Sequence, residues 1–379
     1  MSVVEAAYRE HRGPLLATLV AELRSFDLAE EALQDAFAAA TGQWPGEGVP
    51  RRPAAWLLSV ARRRAADRRR REETLTRYLP LLITSPGQAS ERDDSLALLF
   101  ACCHPALGRE SRVALTLRFV AGLTVPEIAR LFLVPDATMA ARITRAKQKI
   151  RTAGIPLRFP SPQDLPERLT GVLSVLYLLF TEGYRSYRDE LAAEAIRLVR
   201  LLPGAPETTS LLALMLLQHS RRHSRRRDGR LVLLADQDRT GWNALEIAEA
   251  LTLLAVDAPD GPYRLQALIA ARHAVAERAE DTDWAAIAAL YAQLEAVTGS
   301  PVVRLNRAVA VGESEGPEAA LRLLDGLDAR LPRNHHLPAA RGEMLRRLGD
   351  AEAAREQFER AAELAPTDTE RDFLIKKAG

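Results

Sequence analysis

The sequence predicts an all-α protein, and three observations carry the prediction. Apolar residues recur at three- and four-residue spacing along almost the whole chain, and Ala, Leu, Arg and Glu are abundant. No stretch shows sustained strand alternation or a hairpin signal. The 379 residues, 47% hydrophobic and 27% charged, suffice for two to three domains with buried cores and do not have a disordered composition.

Taken in order, the helical segments are separated by three breaks. Thr84–Asp94 (TSPGQASERDD) has the polar, Pro- and Gly-containing composition of a linker. Gly154–Pro166 (GIPLRFPSPQDLP) carries prolines that stop one helix from running through. Ser220–Asp228 (SRRHSRRRD), followed by GRLVLLADQDRTGW, reads as a long polar excursion. Near the end, GEMLRRLGDAEAAREQFERAAELAP places Gly342, Gly349, Ala354, Phe358, Ala361 and Pro366 at the spacing of a tetratricopeptide helix pair. Small residues let two antiparallel helices approach, Phe358 fills the groove between them, and Pro366 ends the second. Pro301–Leu327 offers a weaker second pair. So short an array cannot bury its faces alone and must pack on Leu165–Val297.

The net charge of +2 hides an asymmetry. Residues 1–160 carry 24 Lys/Arg against 17 Asp/Glu, whereas residues 161–379 carry 28 against 33. A basic first half and an acidic second half point to a polyanion as partner of the first half alone. Cys102 and Cys103 are adjacent, a poor geometry for pairing with each other, and no second ligand pair exists for zinc. They read as two small apolar residues in or near a helix core. No phosphate loop, metal cluster or nucleophile constellation is visible, so neither catalysis nor a cofactor or metal is expected. No apolar run approaches the ~20 residues of a membrane span. The acidic N-terminus does not read as a secretory leader, and a cytoplasmic protein is expected.

Two basic segments carry the functional signal. In the first, an apolar helix ends near Gly122, and Thr124 opens a second helix with Glu127 three residues on, a capping box with Pro126 in the first turn. That helix stops around Val134–Pro135, and a third runs from near Asp136 to about Ala153. A helix, a tight turn and a helix is the layout that puts the last helix into a DNA major groove. On it Met139, Ile143, Ala146 and Ile150 are expected to face the core. Thr138, Arg142, Arg145, Lys147 and Lys149 are expected to point outward to base edges and phosphates. In the second segment, RRPAAWLLSVARRRAADRRRRE, the apolar stripe Trp56, Leu57, Val60 and Ala61 accompanies Arg62, Arg63, Arg64, Arg68, Arg69, Arg70 and Arg71. A charge run alone is usually a solvated face. Two separate basic helices joined by a linker suit a protein that touches DNA at two places.

With these segments in view, FDLAEEALQDAFAAATGQW and the arginine-rich helix resemble region 2 of extracytoplasmic-function (ECF) sigma factors, and Asp94–Ala153 resembles their region 4. The stretches LYLLFTEGY, LALMLLQHSRR, LLADQDRTGW, DGPYRLQALIAARHA, DTDWAAIAALYAQL and SPVVRLNRAVAV are similar to the long C-terminal extension of one ECF subgroup, so the likeness covers nearly the whole chain. It implies region 2 at 1–72, a linker at 73–93, region 4 at 94–155, and a C-terminal helical regulatory domain at 165–379 with tetratricopeptide-like repeats near 301–366. It also implies roles residue by residue. Asp27, Glu30, Glu31, Gln34, Asp35 and Phe37 match the surface that grips core RNA polymerase. Trp44, Arg51, Arg52, Arg62, Arg63, Arg68 and Arg69 match the part that opens the −10 element and holds its non-template strand, where pockets and positive charge are needed. Trp56 is a lesser candidate, read first as core. The helix after Pro135 matches the −35 reader, with Thr138, Arg142, Arg145, Lys147 and Lys149. Two departures stand out: the family usually has Asn where Arg63 stands and a polar residue where Ala141 stands, so promoter sequence does not carry over.

The resemblance further implies core RNA polymerase and promoter DNA as partners, no membrane, and control by the chain's own extension through contacts with regions 2 and 4, set by an unidentified protein or ligand signal. A conventional helix-turn-helix regulator would need neither the acidic helix nor the arginine-rich one and would usually dimerise. A tetratricopeptide scaffold with an incidental basic N-terminus is the third alternative. In the C-terminal half, Asp236, Asp238, Arg239 and Trp242 form either a binding loop or a loop held by Asp–Arg hydrogen bonds over a buried Trp242. Asp260–Tyr263 reads as a turn opening a helix, His273 as an ordinary core or surface histidine, and Arg221–Arg227 first as a solvated loop and only second as a contact with DNA or polymerase.

Overall fold

The computed structural model describes residues 3–75, 91–185, 188–227 and 230–379, so most of the expected linker lies outside the described residues. The chain divides into two compact units, Met1–Pro203 and Gly204–Gly379. Both are helical, as the apolar spacing predicts.

The first unit contains α1 (Val3–Leu23), α2 (Phe26–Glu47), α3 (Pro53–Leu75), α4 (Glu91–Cys102), α5 (Arg109–Leu115), α6 (Val125–Leu131), α7 (Asp136–Thr152), α8 (Leu165–Arg185) and α9 (Asp189–Leu201). The Ser25 hydroxyl accepts from Leu28 N at 3.3 Å and starts α2; Gly48, at φ 86°, ends it. Helix α1 packs on α2 and α3 and also on α4, so one helix serves two groups. That double duty accounts for its broad buried surface, with Leu15, Leu16, Ala17, Leu19 and Val20 all under 3% exposed.

Helix α5 does not end in an ordinary turn. It widens into a π-helical segment, Thr116–Val120, whose closing bond runs from Ala121 N to Thr116 O at 2.9 Å. Gly13 on α1 meets this segment closely: a Cβ there would lie 2.9 Å from the Val120 carbonyl oxygen, so only glycine fits. Cys102 and Cys103 are buried free thiols, as expected of small core residues. Burial lifts the Cys103 thiol to about 11 against the opposing hydrogen bond with Thr116.

Helices α8 and α9, expected with the C-terminal domain, pack in the first unit, with α8 against α4 and α5. Arg168 donates to the Phe100 carbonyl at 2.6 Å, and the Phe100 and Phe159 rings meet edge-on at 5.0 Å.

The second unit holds α10 (Pro206–His219), α11 (Ala244–Leu254), α12 (Pro262–Val275), α13 (Trp284–Thr298), α14 (Pro301–Ser314), α15 (Pro317–Leu324), α16 (His336–Leu348), α17 (Ala351–Leu364) and α18 (Asp368–Ala378). Successive helices pack on one another along the array, α10 also touching α12. Prolines occupy the first turn of α10, α12, α14 and α15, where a missing N–H costs nothing. Gly349 (φ 86°) closes α16 in the left-handed conformation. The predicted groove forms between α16 and α17: Phe358 is 2% exposed, and a Cβ on Gly342 would sit 3.1 Å from its ring. Leu305 and Ala308 of α14 share a second cluster with Leu324, Leu327 and Leu337.

The polar excursion between α10 and α11 differs from expectation in three ways. It includes a short antiparallel pair, β1 (Arg226–Arg227) with β2 (Arg230–Leu231), too brief for alternation to reveal. Arg222 is not free in solvent: it pairs with Glu246 at 3.1 Å, both under 20% exposed. Trp242 is buried, and among the described residues Arg239 makes no bond to Asp236 or Asp238. Arg239 lies over its ring at 4.9 Å and donates to the carbonyls of His273 and Ala276, while Asp238 accepts from Thr240.

His273 packs against Trp284 with centroids 5.2 Å apart. Burial, with Arg221 and Arg239 nearby, lowers its pKa to about 4. Below about pH 6.5 the unfolded chain binds a proton that the folded unit refuses. Stability is therefore complete above pH 6.5 and falls as the pH drops towards 4, by about 2 kcal/mol after allowing for partial solvent screening. Urea unfolding of the second unit across this range should show that slope, and His273→Asn should flatten it.

Candidate nucleic-acid interface

The helix-turn-helix is built as its sequence chemistry demands. Thr124 N donates to Glu127 Oε2 at 2.8 Å, and Glu127 N donates to Thr124 Oγ1 at 3.4 Å, closing both halves of the capping box. Burial works to raise the Glu127 pKa, but the Thr124 hydrogen bonds, Arg188 and Arg130 together hold it below the usual carboxylate value. Leu133 turns the chain at φ 51° and stands 93% exposed between α6 and α7. Thr124→Ala should cost about 1 kcal/mol, read as a drop of about 2–4 °C in the melting of the first unit.

Helix α7 turns the expected core face inward: Met139, Ile143, Ala146 and Ile150 are buried. Its open stripe is Thr138, Ala141, Arg145 and Lys149. Arg142 and Lys147, expected to point outward, do not. Arg142 pairs with Glu110 at 2.9 Å and lies over the Phe132 ring at 5.3 Å, leaving it 19% exposed. Lys147 is 16% exposed and pairs with Asp27 of α2.

The arginines of α3 are similarly divided. Arg62 grips Glu22, with Nε to Oε2 at 3.0 Å. The pairing with Glu22 raises its pKa. Arg68 pairs with Glu31 and with Asp35 at 2.9 Å, and Arg69 donates to the Leu23 carbonyl at 2.9 Å. Arg51, Arg52, Arg63 and Arg64 remain exposed. Arg63 and Arg64 border a recess of about 400 Å³ with Gln43, Trp56, Ser59 and Asp67. Trp44, expected at the DNA strand, is a core residue only 5% exposed, its ring edge-on to Trp56 at 5.6 Å; the half-buried Trp56 is the aromatic that reaches the recess.

On α2, Asp27 and Glu31 are more than half exposed and Gln34 is open to solvent, whereas Glu30 is 19% exposed. Phe37, expected on the docking face, is buried against Tyr8 at 5.0 Å. Sequence reasoning missed Arg12 and Arg118. Arg118 Nη2 stands 2.6 Å from Glu30 Oε1, and Arg12 Nη2 stands 3.7 Å from the same oxygen. The one signal for Arg118 was a charge interrupting the apolar run LTLRFVAGL.

A recess bordered by two arginines of α3, the acidic helix α2 beside it and the helix-turn-helix α6–α7 lie in the same unit. Residues 7–74 match the model of sigma-70 region 2 and residues 97–150 that of sigma-70 region 4. The protein is an RNA polymerase sigma factor, a DNA-binding transcription-initiation protein with a helix-turn-helix. It belongs to one family with an uncharacterized protein of Rhizobium meliloti (strain 1021), to which it is 44% identical over 98% of this chain and 94% of the relative. Residues 168–258 match a family of unknown function, DUF6596, which spans the division between the two units. No solved structure matches the chain. Among the described residues no helix is long and apolar enough to cross a membrane, and no cluster of His, Cys, Asp and Glu could hold a metal ion.

Proposed function

We propose that the chain is an ECF-type sigma factor, acting in the cytoplasm without catalysis of its own, whose activity is set by its tetratricopeptide-like C-terminal region in response to a protein or ligand signal. The observation that carries this reading is the order of surfaces on one chain: acidic α2, arginine-rich α3, helix-turn-helix α6–α7, then a long helical extension. In this reading Asp27, Glu30, Glu31, Gln34 and Asp35 dock on core polymerase. Arg51, Arg52 and Arg63, with Trp56 at the recess, hold the opened −10 strand, where an aromatic face and positive charge suit unstacked bases. Thr138, Arg145 and Lys149 face the −35 element, and the exposed methyl of Ala141 offers apolar contact in place of a hydrogen bond. Control by the extension is favoured by α8, which already lies against α4 and α5.

The experiment adds the full chain to core RNA polymerase on a library of bacterial promoters. Initiation from a defined subset supports the reading, and failure to form holoenzyme sinks it. A chain lacking residues 165–379 should initiate at a different level from the full chain; equal activity would remove the regulatory claim.

A further inference from the structure

At the N-terminal end of α2 the chain itself covers Glu30 and Phe26, while Asp27 stays more than half exposed. Glu30 faces Arg118 of the π-helical segment at 2.6 Å and Arg12 of α1 at 3.7 Å. Lys147 of α7 pairs with Asp27 and reaches Glu30 Oε2 at 3.8 Å. Beneath these charges the Phe26 and Phe119 rings meet edge-on at 4.7 Å. Arg12 ties the two sides together by donating to the Arg118 carbonyl at 3.0 Å. Asp27, Glu30, Phe26 and Arg12 lie in region 2, whereas Arg118, Phe119 and Lys147 lie in region 4.

We propose that this contact is an autoinhibitory clasp, in which region 4 masks the polymerase-docking end of α2 and in doing so withholds one of its own DNA-facing cations. The inference rests on the reading of α2 as the docking helix. A polymerase surface cannot reach Glu30 while Arg118 and Arg12 flank it, and a DNA phosphate cannot use Lys147 while Asp27 holds it. Clasp and partners compete for the same charges, so each partner's binding is coupled to opening. Exposed ion pairs contribute little, but these are mostly withdrawn from solvent, where the attraction is screened less. The clasp is not packed solid: a recess of about 210 Å³ remains beside it, bordered by Tyr8, Glu30, Gln34 and Arg118. Opening it breaks these charge contacts and also parts α1 from α4 and Gly13 from the Val120 carbonyl, which are closely packed.

Two measurements on the full chain test the clasp, both reading affinity for purified core RNA polymerase by fluorescence anisotropy. Arg118→Glu sets a second negative charge against Glu30 and should raise affinity about tenfold, because a masked state lowers apparent affinity by its open fraction. Independently, a zero-length carbodiimide joins an amine to a carboxylate only where they touch. The chain has four lysines, at 147, 149, 376 and 377, so an amide from Lys147 to Asp27 or Glu30 is readily mapped. The coupled protein should bind core at least about tenfold more weakly than Lys147→Arg protein treated identically. If untreated wild type binds core but neither Arg118→Glu nor the coupling changes affinity, the clasp is overturned and α2 remains the docking helix. If neither wild type nor Arg118→Glu binds core, the docking reading falls and the clasp with it.

Discussion

Asp27→Lys combined with Glu31→Lys is expected to weaken binding to core RNA polymerase by about 100-fold, roughly 3 kcal/mol. Both carboxylates are more than half exposed and four residues apart, so they share one face of α2, although reversal sets position 27 against the largely buried Lys147 and position 31 against Arg68. The direction of the effect is informative. Reversal at position 27 also repels Lys147, so a protein in which these acids served only to hold region 4 would bind polymerase more tightly, not less. Fluorescence anisotropy against core polymerase measures the change, and far-ultraviolet circular dichroism checks that the helices persist. Unchanged affinity would remove the acidic face from the docking surface.

Phe358→Ala should destabilise the second unit by about 3–5 kcal/mol, the cost of emptying a buried aromatic site whose surroundings collapse only partly. The surroundings are poorly placed to collapse. Gly342 has no side chain to move into the void, and the small Ala354, Ala361 and Ala362 line the same cluster. Differential scanning calorimetry should show a loss of about 10 °C in the melting of the second unit. Phe358→Leu, which keeps most of the volume, should lose less than half as much. Equal losses for the two would mean that the groove accepts any filling and that Phe358 has no special fit.

The fold was legible wherever the chemistry is local. The capping box of Thr124 and Glu127 spans three residues, and the Gly342–Phe358 groove follows a helix-pair spacing; both appear as the sequence predicts. What escaped depends on partners far along the chain. Trp44 and Phe37 look like exposed aromatics on a polar helix until Trp56 and Tyr8 are brought against them. Helical spacing marks Lys147 as outward-facing, which is true of its own three-helix group; the opposing acid comes from a residue 120 positions earlier. The arginine run shows the same limit. Composition identifies a basic helix, but only the fold shows that Arg62, Arg68 and Arg69 are engaged by α1 and α2 while Arg63 and Arg64 remain exposed at the recess. The excursion after α10 misled for a related reason, because Arg222 finds its carboxylate on α11.

The π-helical segment bears on how such a unit changes over generations. A π turn is an α-helix carrying one residue too many. Loss of a single codon between Thr116 and Val120 would restore the ordinary spacing and turn the following chain by about 100° relative to α5. The presentation of Arg118 and Phe119 to α2 would change together, whereas any single substitution alters only one of them. The Thr124–Glu127 cap, lying downstream, would survive the shift intact. A descendant chain could thus keep its DNA-reading helices and lose its hold on α2 in one mutational step, so relatives that differ by one residue here should differ in how readily they take up polymerase.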